Sequence, residues 1–243
     1  MAVIQLEQAG VGLDSNGQLT TRADVIKRYL LKPLSVTLTE QRIGIIGANG
    51  SGKSTFIRLL NGLIMPSKGD VWVDSDAVRS DLAKVRTRVG FVFQNPEHQI
   101  IYPLVHEDIA YGLNNMRLPK AEVQQRTQQA LVDFGLSAQA EQSCYTLSGG
   151  QKQLLALAGV VVMRPDVIIL DEPTTLLDLH NRLRVQRHIA CLEQQVIQVS
   201  HHLDELAQYE RVLCFDQGEL VDDGAPAPVI ERYVARMQAL AAE

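Results

Sequence analysis

Cysteine is scarce in this 243-residue chain, which has only Cys144, Cys191 and Cys214. They make neither a CxxC pair nor a disulfide framework. All three are expected to be small buried hydrophobes in a reduced cytoplasm. Long apolar runs are missing too. Val160–Met163 and Val167–Leu170 fall far short of the ~20 residues a membrane span needs. The first ten residues contain Gln5, Glu7 and Gln8 and no basic stretch, so no secretory leader is expected. Neither charge sign dominates. Against 28 acidic residues stand 23 basic ones, a formal net charge of -5, which argues against a dedicated nucleic-acid binder. No internal repeat or dividing linker is visible. What is there is an ordinary globular composition, 46% hydrophobic and 21% charged, rich enough to bury a core and incompatible with disorder or collagen-like repeats.

Short β-rich runs alternate with helical ones. Val3–Leu6 and Leu34–Leu38 show the period-2 pattern of half-exposed strands, with turn chemistry at Asp14–Gly17 between them. Ile43–Ile46, Val89–Phe93, Val167–Leu170, Val196–Val199 and Arg211–Phe215 are denser. Strands buried on both faces read this way, and helical runs between them imply parallel crossovers. Lys53–Ile64 carries apolar residues at helical spacing and is stopped by Pro66. Ala121–Phe134 is Gln-rich but keeps Val123, Ala130, Leu131 and Phe134 for one face, which predicts a helical insertion.

Between the strand Ile43–Ile46 and the helical run lies Gly47–Ala48–Asn49–Gly50–Ser51–Gly52–Lys53–Ser54–Thr55, matching G-x-x-x-x-G-K-[ST]. Triphosphate oxygens must be met by several backbone N–H groups, so the chain has to turn tightly and approach closely. Glycine permits both, and the following helix aims its positive end at the anion. Lys53 is expected to reach the β- and γ-phosphates, Ser54 to ligate Mg²⁺, and Thr55 to add a phosphate contact.

Val167–Leu170 ends in Asp171 and Glu172. Alone, the pair also reads as exposed acids at a strand end. With a phosphate loop upstream, Asp171 is expected in the Mg²⁺ shell, and Glu172 is placed to polarise an attacking water. Ser148–Gly149–Gly150–Gln151 opens another helix with Ser148 at the N-cap. In isolation this is a capped helix with a glycine-rich approach. It is also a second anion cradle, which one chain binding one nucleotide does not need but two head-to-tail copies would.

In order and spacing, nearly the whole chain resembles the ATPase subunits of ATP-binding cassette (ABC) transporters. Gly47–Ser54 is similar to the Walker A loop, Gln94 to the Q-loop glutamine, Leu147–Gln151 to the signature, and Val167–Asp171 with Glu172 to Walker B. Asp178 resembles the D-loop acid and His201 the switch histidine, with adjacent His202 not excluded by spacing. The resemblance implies an α/β P-loop ATPase built as a single domain over residues 1–243. It would have a mostly parallel core sheet, an antiparallel β subdomain near the N-terminus and a helical lobe at about 95–160. It further implies ATP and Mg²⁺ as cofactors, with Ser54, Gln94 and Asp171 on the metal and Glu172, Gln94, Asp178 and His201 serving hydrolysis. The partners implied are a second ATPase, the same or a related chain, and integral membrane proteins. The place is the cytoplasmic face of the membrane.

The run Asn95–Gly112 is similar to the ATPases of energy-coupling-factor importers of vitamins, cobalt or nickel. Ile100, Ile101, Tyr102 and Leu104 around Pro103 are expected to form an apolar seat for a coupling helix. Overall resemblance, including Arg42–Gly50, favours biotin, with cobalt second. The sequence also departs from the family. No aromatic precedes Tyr29, so Leu13 stands where the family stacks a ring on adenine, and weaker, less base-selective binding is expected. His202 replaces the usual Asp, Leu154 a common Arg, and Thr175–Leu176 smaller residues. A soluble cassette ATPase of DNA repair is disfavoured by the short spacing between loop and signature, without heptads or CxxC pairs. A translation-associated cassette protein usually carries two cassettes. A nucleotide kinase would need neither Leu147–Gln151 nor Asp178.

Overall fold

The computed structural model describes residues 2–242. Its first elements are β1 (Ile4–Leu13), β2 (Leu19–Thr20), β3 (Arg28–Leu38), β4 (Arg42–Gly47) and α1 (Lys53–Leu60). Then come β5 (Lys68–Val73), β6 (Asp76–Ala77), α2 (Leu82–Arg88), β7 (Val89–Val92), α3 (Val105–Asn115) and α4 (Lys120–Asp133). The remainder is α5 (Gly149–Val161), β8 (Val167–Asp171), α6 (Leu179–Ala190), β9 (Gln195–Val199), β10 (Arg211–Asp216), β11 (Glu219–Gly224) and α7 (Pro226–Ala241).

Two sheets result. One runs β2-β1-β5-β6 with β3 also on β1, and all its pairings are antiparallel. The other runs β11-β10-β4-β9-β8-β7 and is parallel except for its β10–β11 edge. The α/β class with a mostly parallel core sheet therefore holds. The antiparallel sheet is not purely N-terminal, because β5 and β6 return to it after α1.

Alternation along β8 shows how the layers meet. Val167 and Ile169 face a core shared with the antiparallel sheet and with Phe56, Ile57, Leu59 and Leu60 of α1. Ile168 and Leu170 face a second core with Ile109, Leu131, Leu154 and Leu157 of the helices. A smaller cluster packs Val229 of α7 on Ile46 and Cys214. Burial of each such side chain contributes roughly 1.5–3 kcal/mol, so β8 is held firmly from both sides. That fixes the position of its acidic end. Among the described residues, no helix is long and apolar enough to cross a membrane.

Some expectations shift. The helix predicted over Lys53–Ile64 ends at Leu60, because Gly62 takes φ +68° and its N–H bonds Leu59 O, closing the helix early. β1 outlasts its alternating segment because Gln8 (φ +46°) sits in a bulge, with its N–H bonded to Ser35 Oγ at 2.9 Å. Cys191 is exposed, whereas Cys144 and Cys214 are buried, and burial pushes both thiols up to about 11. They are inert packing groups.

Candidate nucleotide site

The loop leaves β4 at Gly47 (φ +148°), where a Cβ would stand 2.2 Å from Phe215 O, so only glycine fits. Gly52, at φ +102°, begins α1 with no side chain capping it. The first N–H groups of α1 therefore face the loop, an arrangement suited to phosphate. Lys53 is buried and donates to Gly47 O at 2.8 Å and Ala48 O at 2.9 Å. Burial holds its pKa below the ordinary lysine value, opposed by Glu172 and Asp171. Its ammonium thus waits on neutral carbonyls beside two acids. Ser51 Oγ in the same loop is buried with no hydrogen-bond partner among the described residues, and a hydroxyl so placed suits a phosphate oxygen.

Asp171 ends β8 and is 4% exposed. Burial raises its pKa, with the Arg58 guanidinium 3.5 Å away and Ser54 drawing it back and neighbouring Glu172 adding to the rise. Glu172 follows at φ +51°, a conformation non-glycine residues rarely adopt, and its N–H bonds Val199 O at 3.1 Å. Its carboxylate collects three side chains. Oε2 accepts from Gln94 Nε2 at 3.0 Å and Thr175 Oγ1 at 3.1 Å, while Oε1 lies 2.9 Å from His201 Nε2. Gln94 comes from beyond β7, His201 from beyond β9, and the β7–β8–β9 order brings them to either side of Glu172. Of the two adjacent histidines, His201 is the one whose ring reaches Glu172.

Among the described residues, Asp178 and the predicted signature residues Ser148, Gly149, Gly150 and Gln151 make no hydrogen bond within this cluster. Asp178 caps α6, accepting from Asn181 N at 2.9 Å and Asn181 Nδ2 at 3.0 Å, and those bonds hold its carboxyl below the usual range. Ser148 caps α5 in a reciprocal box with Gln151, whose Oε1 accepts from Ser148 N at 2.9 Å. Gly149 and Gly150 follow in the first turn, and a Cβ on Gly150 would fall 2.2 Å from Asn181 Oδ1. The signature helix and the Asp178 helix are therefore in direct contact. Thr55 stays in the first turn of α1, and Asn49 and Gly50 form the exposed crest of the loop.

The apolar run beyond Gln94 divides. Ile101 is 62% and Tyr102 41% exposed, whereas Ile100 packs on the helical core and Leu104 is half-buried at the start of α3. Asp108 holds this loop, accepting from Ile101 N at 2.7 Å and Tyr102 N at 3.0 Å. Pro103 O accepts from Cys144 N at 2.8 Å, four residues before Ser148. Lys152 on α5 pairs with Glu97 at 2.6 Å. Arg58, Thr174, Ser200 and Glu205, which also border the site, carry no motif and were not singled out from sequence.

The family model described as ABC transporter matches residues 31–175. The chain belongs to the ABC transporter family. It is an ABC-type ATPase, and proteins of this type bind ATP and work as dimers within transporter complexes. The ABC ATPase is 44% identical over 230 residues to the biotin transport ATP-binding protein BioM of Rhizobium etli, covering 95% of this chain and 97% of that one. It is 38% identical over 208 residues to the energy-coupling factor transporter ATP-binding protein EcfA1 of Latilactobacillus sakei, covering 83% and 74%. Among solved structures, cbiO1 from Clostridium perfringens, part of the ABC transporter complex cbiONQ, superposes with a TM-score of 0.79 at 30% identity, covering 98% of this chain and 94% of that one.

Proposed function

We propose that this ABC ATPase powers an energy-coupling-factor importer of biotin, acting as one ATPase unit over its whole length. The observation that carries the hydrolytic part is the Glu172 carboxylate, which Gln94, Thr175 and His201 hold beside Asp171 and the Lys53 loop. In this reading Lys53 exchanges Gly47 O and Ala48 O for phosphate oxygens, which form stronger, charge-assisted bonds. The loop N–H groups and Ser51 Oγ hold the rest of the triphosphate, with Thr55 behind them. Glu172 takes the proton of the attacking water, and His201 and Gln94 fix its direction.

The donor set suits Mg²⁺. Ser54 Oγ, the Gln94 amide oxygen and the buried Asp171 carboxylate are hard oxygen donors, and Asp171 is a buried charge in need of a cation. When bound, the ion would neutralise charge that develops on the phosphates.

Ser148, Gly149, Gly150 and Gln151 would meet the nucleotide held by the partner ATPase, and Asp178 would act across the same junction. Neither makes a hydrogen bond to the chain's own Glu172 cluster among the described residues, which supports a site completed by a second copy or a related chain. Ile101 and Tyr102, with Tyr111 at 5.4 Å from the Tyr102 ring, offer an apolar seat for a membrane partner. The place would be the cytoplasmic face of the membrane. Biotin is favoured by the BioM relative, and cobalt or nickel is the second reading, resting on the resemblance of the Asn95–Gly112 run to importers of vitamins, cobalt or nickel. Tagging the chain in its own cells, solubilising membranes gently and identifying what copurifies tests the assignment. Two polytopic membrane proteins with bound biotin are expected. Bound cobalt or nickel would overturn the cargo, and recovery of soluble chains alone would overturn transport.

A further inference from the structure

Glu205 lies on the short turn Leu203–Leu206 that follows the switch segment, and its side chain is 2% exposed. A buried carboxylate is costly unless its lone pairs are met. Here four donors meet two oxygens. Oε1 accepts from Thr174 Oγ1 and Arg182 Nε, both at 2.8 Å. Oε2 accepts from Gln198 Nε2 at 2.8 Å and Ser200 Oγ at 2.9 Å. An ionised carboxylate is acceptor-only with about four lone-pair sites, so this set saturates it. The orientation of Gln198 is itself fixed, since its Oε1 accepts from Tyr209 OH at 2.6 Å. Arg182, which also pairs with Asp204, is the counter-ion.

The origin of the donors matters more than their number. Thr174 is two residues beyond Glu172, and Ser200 is the residue before His201. Gln198 belongs to β9, and Arg182 to α6, where its N–H makes the first helical bond to Asp178 O at 2.8 Å. Ser200 Oγ also accepts from His202 N at 3.0 Å, which sets the turn that carries the His201 ring. One buried carboxylate therefore ties both sides of the Glu172–His201 pair to each other and to the helix that begins at Asp178.

We infer that Glu205 is a positioning residue for hydrolysis: it holds the Thr174 and Ser200 segments so that Glu172 and His201 keep their mutual geometry. Its carboxylate bonds Thr174, Arg182, Gln198 and Ser200 and not Glu172 or His201 themselves, so it acts through His201. The inference rests on the hydrolytic reading above and goes beyond it by naming what aligns the pair. Glutamine at this position keeps the volume, and the Ser200 hydroxyl can turn to accept from the new amide, so folding is expected to survive. What goes is the acceptor that fixes all four donors together.

The test is steady-state ATP hydrolysis by the full chain and its Glu205→Gln, His201→Ala and doubly substituted variants, with melting temperatures taken alongside. Glu205→Gln is expected to lower kcat ~10-fold while KM for ATP moves less than ~2-fold. Added to His201→Ala, it should lower kcat by less than ~2-fold further, because residues acting as a unit are non-additive. A purely structural role predicts the same factor in both backgrounds, and that result would overturn the inference, as would a Glu205→Gln kcat within ~2-fold of the parent. Should Glu205→Gln fail to fold, Ser200→Ala, which cuts one arm and leaves three donors on the carboxylate, is judged by the same two criteria. If His201→Ala itself hydrolyses at the parent rate, the hydrolytic reading fails. If His201→Ala is impaired and Glu205→Gln is not, only the role of Glu205 fails.

Discussion

Glu172 and His201 lie at the ends of the neighbouring strands β8 and β9, and Glu172 Oε1 is 2.9 Å from His201 Nε2. The other carboxylate oxygen is held by Gln94 and Thr175. A group so constrained, on a backbone at φ +51°, is pre-set in direction before substrate arrives.

Glu172→Gln should therefore remove the base while keeping the shape. Nucleotide binding should persist and turnover should fall by roughly 10²–10⁴, the usual contribution of a positioned general base. An ATP-dependent dimer should accumulate on size-exclusion chromatography, because closure is preserved and release is not. Unimpaired phosphate release by this variant would remove Glu172 from the base role.

Asp171 sets function against stability. Burial raises its pKa, so the folded chain binds its proton more tightly than the unfolded chain does. Stability contributed by the protonated form is complete below the unfolded value of 3.8 and is lost as pH rises through the raised folded value. At neutral pH the ionised carboxylate is a net cost, which Arg58 at 3.5 Å only partly offsets. Asp171→Asn should melt higher than the parent at pH 7.5. The gap should shrink toward pH 4, and Mg²⁺-dependent hydrolysis should be lost. Differential scanning calorimetry across that range decides it, and an equal or lower melting temperature at pH 7.5 would count against the electrostatic account.

How much of this was legible in the sequence follows from range. The phosphate loop, β8 and its acids were readable because glycine spacing and unbroken apolar runs are local signals. His201 was separable from His202 only by the tertiary contact with Glu172. Glu205 was invisible because Leu203–Asp204–Glu205–Leu206 reads as an amphipathic surface turn, and its burial depends on donors from Thr174, Arg182 and Gln198. β11 and α7 were also missed, β11 because it has no apolar run, its residues alternating between half-buried and exposed. The early stop of α1 depends on Gly62, whereas apolar spacing alone carries the helix on to Ile64, past Leu63, which is 41% exposed.

Gly150 tests the contact between the signature helix and α6. A Cβ there meets Asn181 Oδ1, Cγ and Cβ at 2.2–2.7 Å, too much of a short side chain to swing aside. Displacing the Asn181 side chain also breaks the bond its Nδ2 donates to Asp178. Gly150→Ala should leave ATP affinity of the isolated chain within ~2-fold and lower hydrolysis at least ~10-fold if, as proposed, the affected surface meets the nucleotide held by the partner. Fluorescent-nucleotide titration beside turnover separates the two. Loss of affinity in the monomer would show that the helix start serves its own chain's nucleotide.

Leu13 tests base selectivity. It ends β1, paired with Leu19 and Arg28, in the sheet whose β3 runs past the phosphate loop, with Leu30 O 3.1 Å from a Cβ built on Gly52. At the place where the family resemblance puts the adenine, an aliphatic side chain would give a purine apolar contact but no ring to stack on. Stacking contributes about 0.5–1.5 kcal/mol beyond burial, so Leu13→Phe should tighten ATP binding ~2–10-fold. Since affinity in the parent then rests mainly on the phosphates, GTP should compete with ATP within about one order of magnitude, and phosphate-bearing competitors should outperform adenosine. Competition titrations measure this directly. A parent that already prefers ATP over GTP by ~100-fold or more would require base-reading groups elsewhere, and Leu13 would then be a neutral member of the strand.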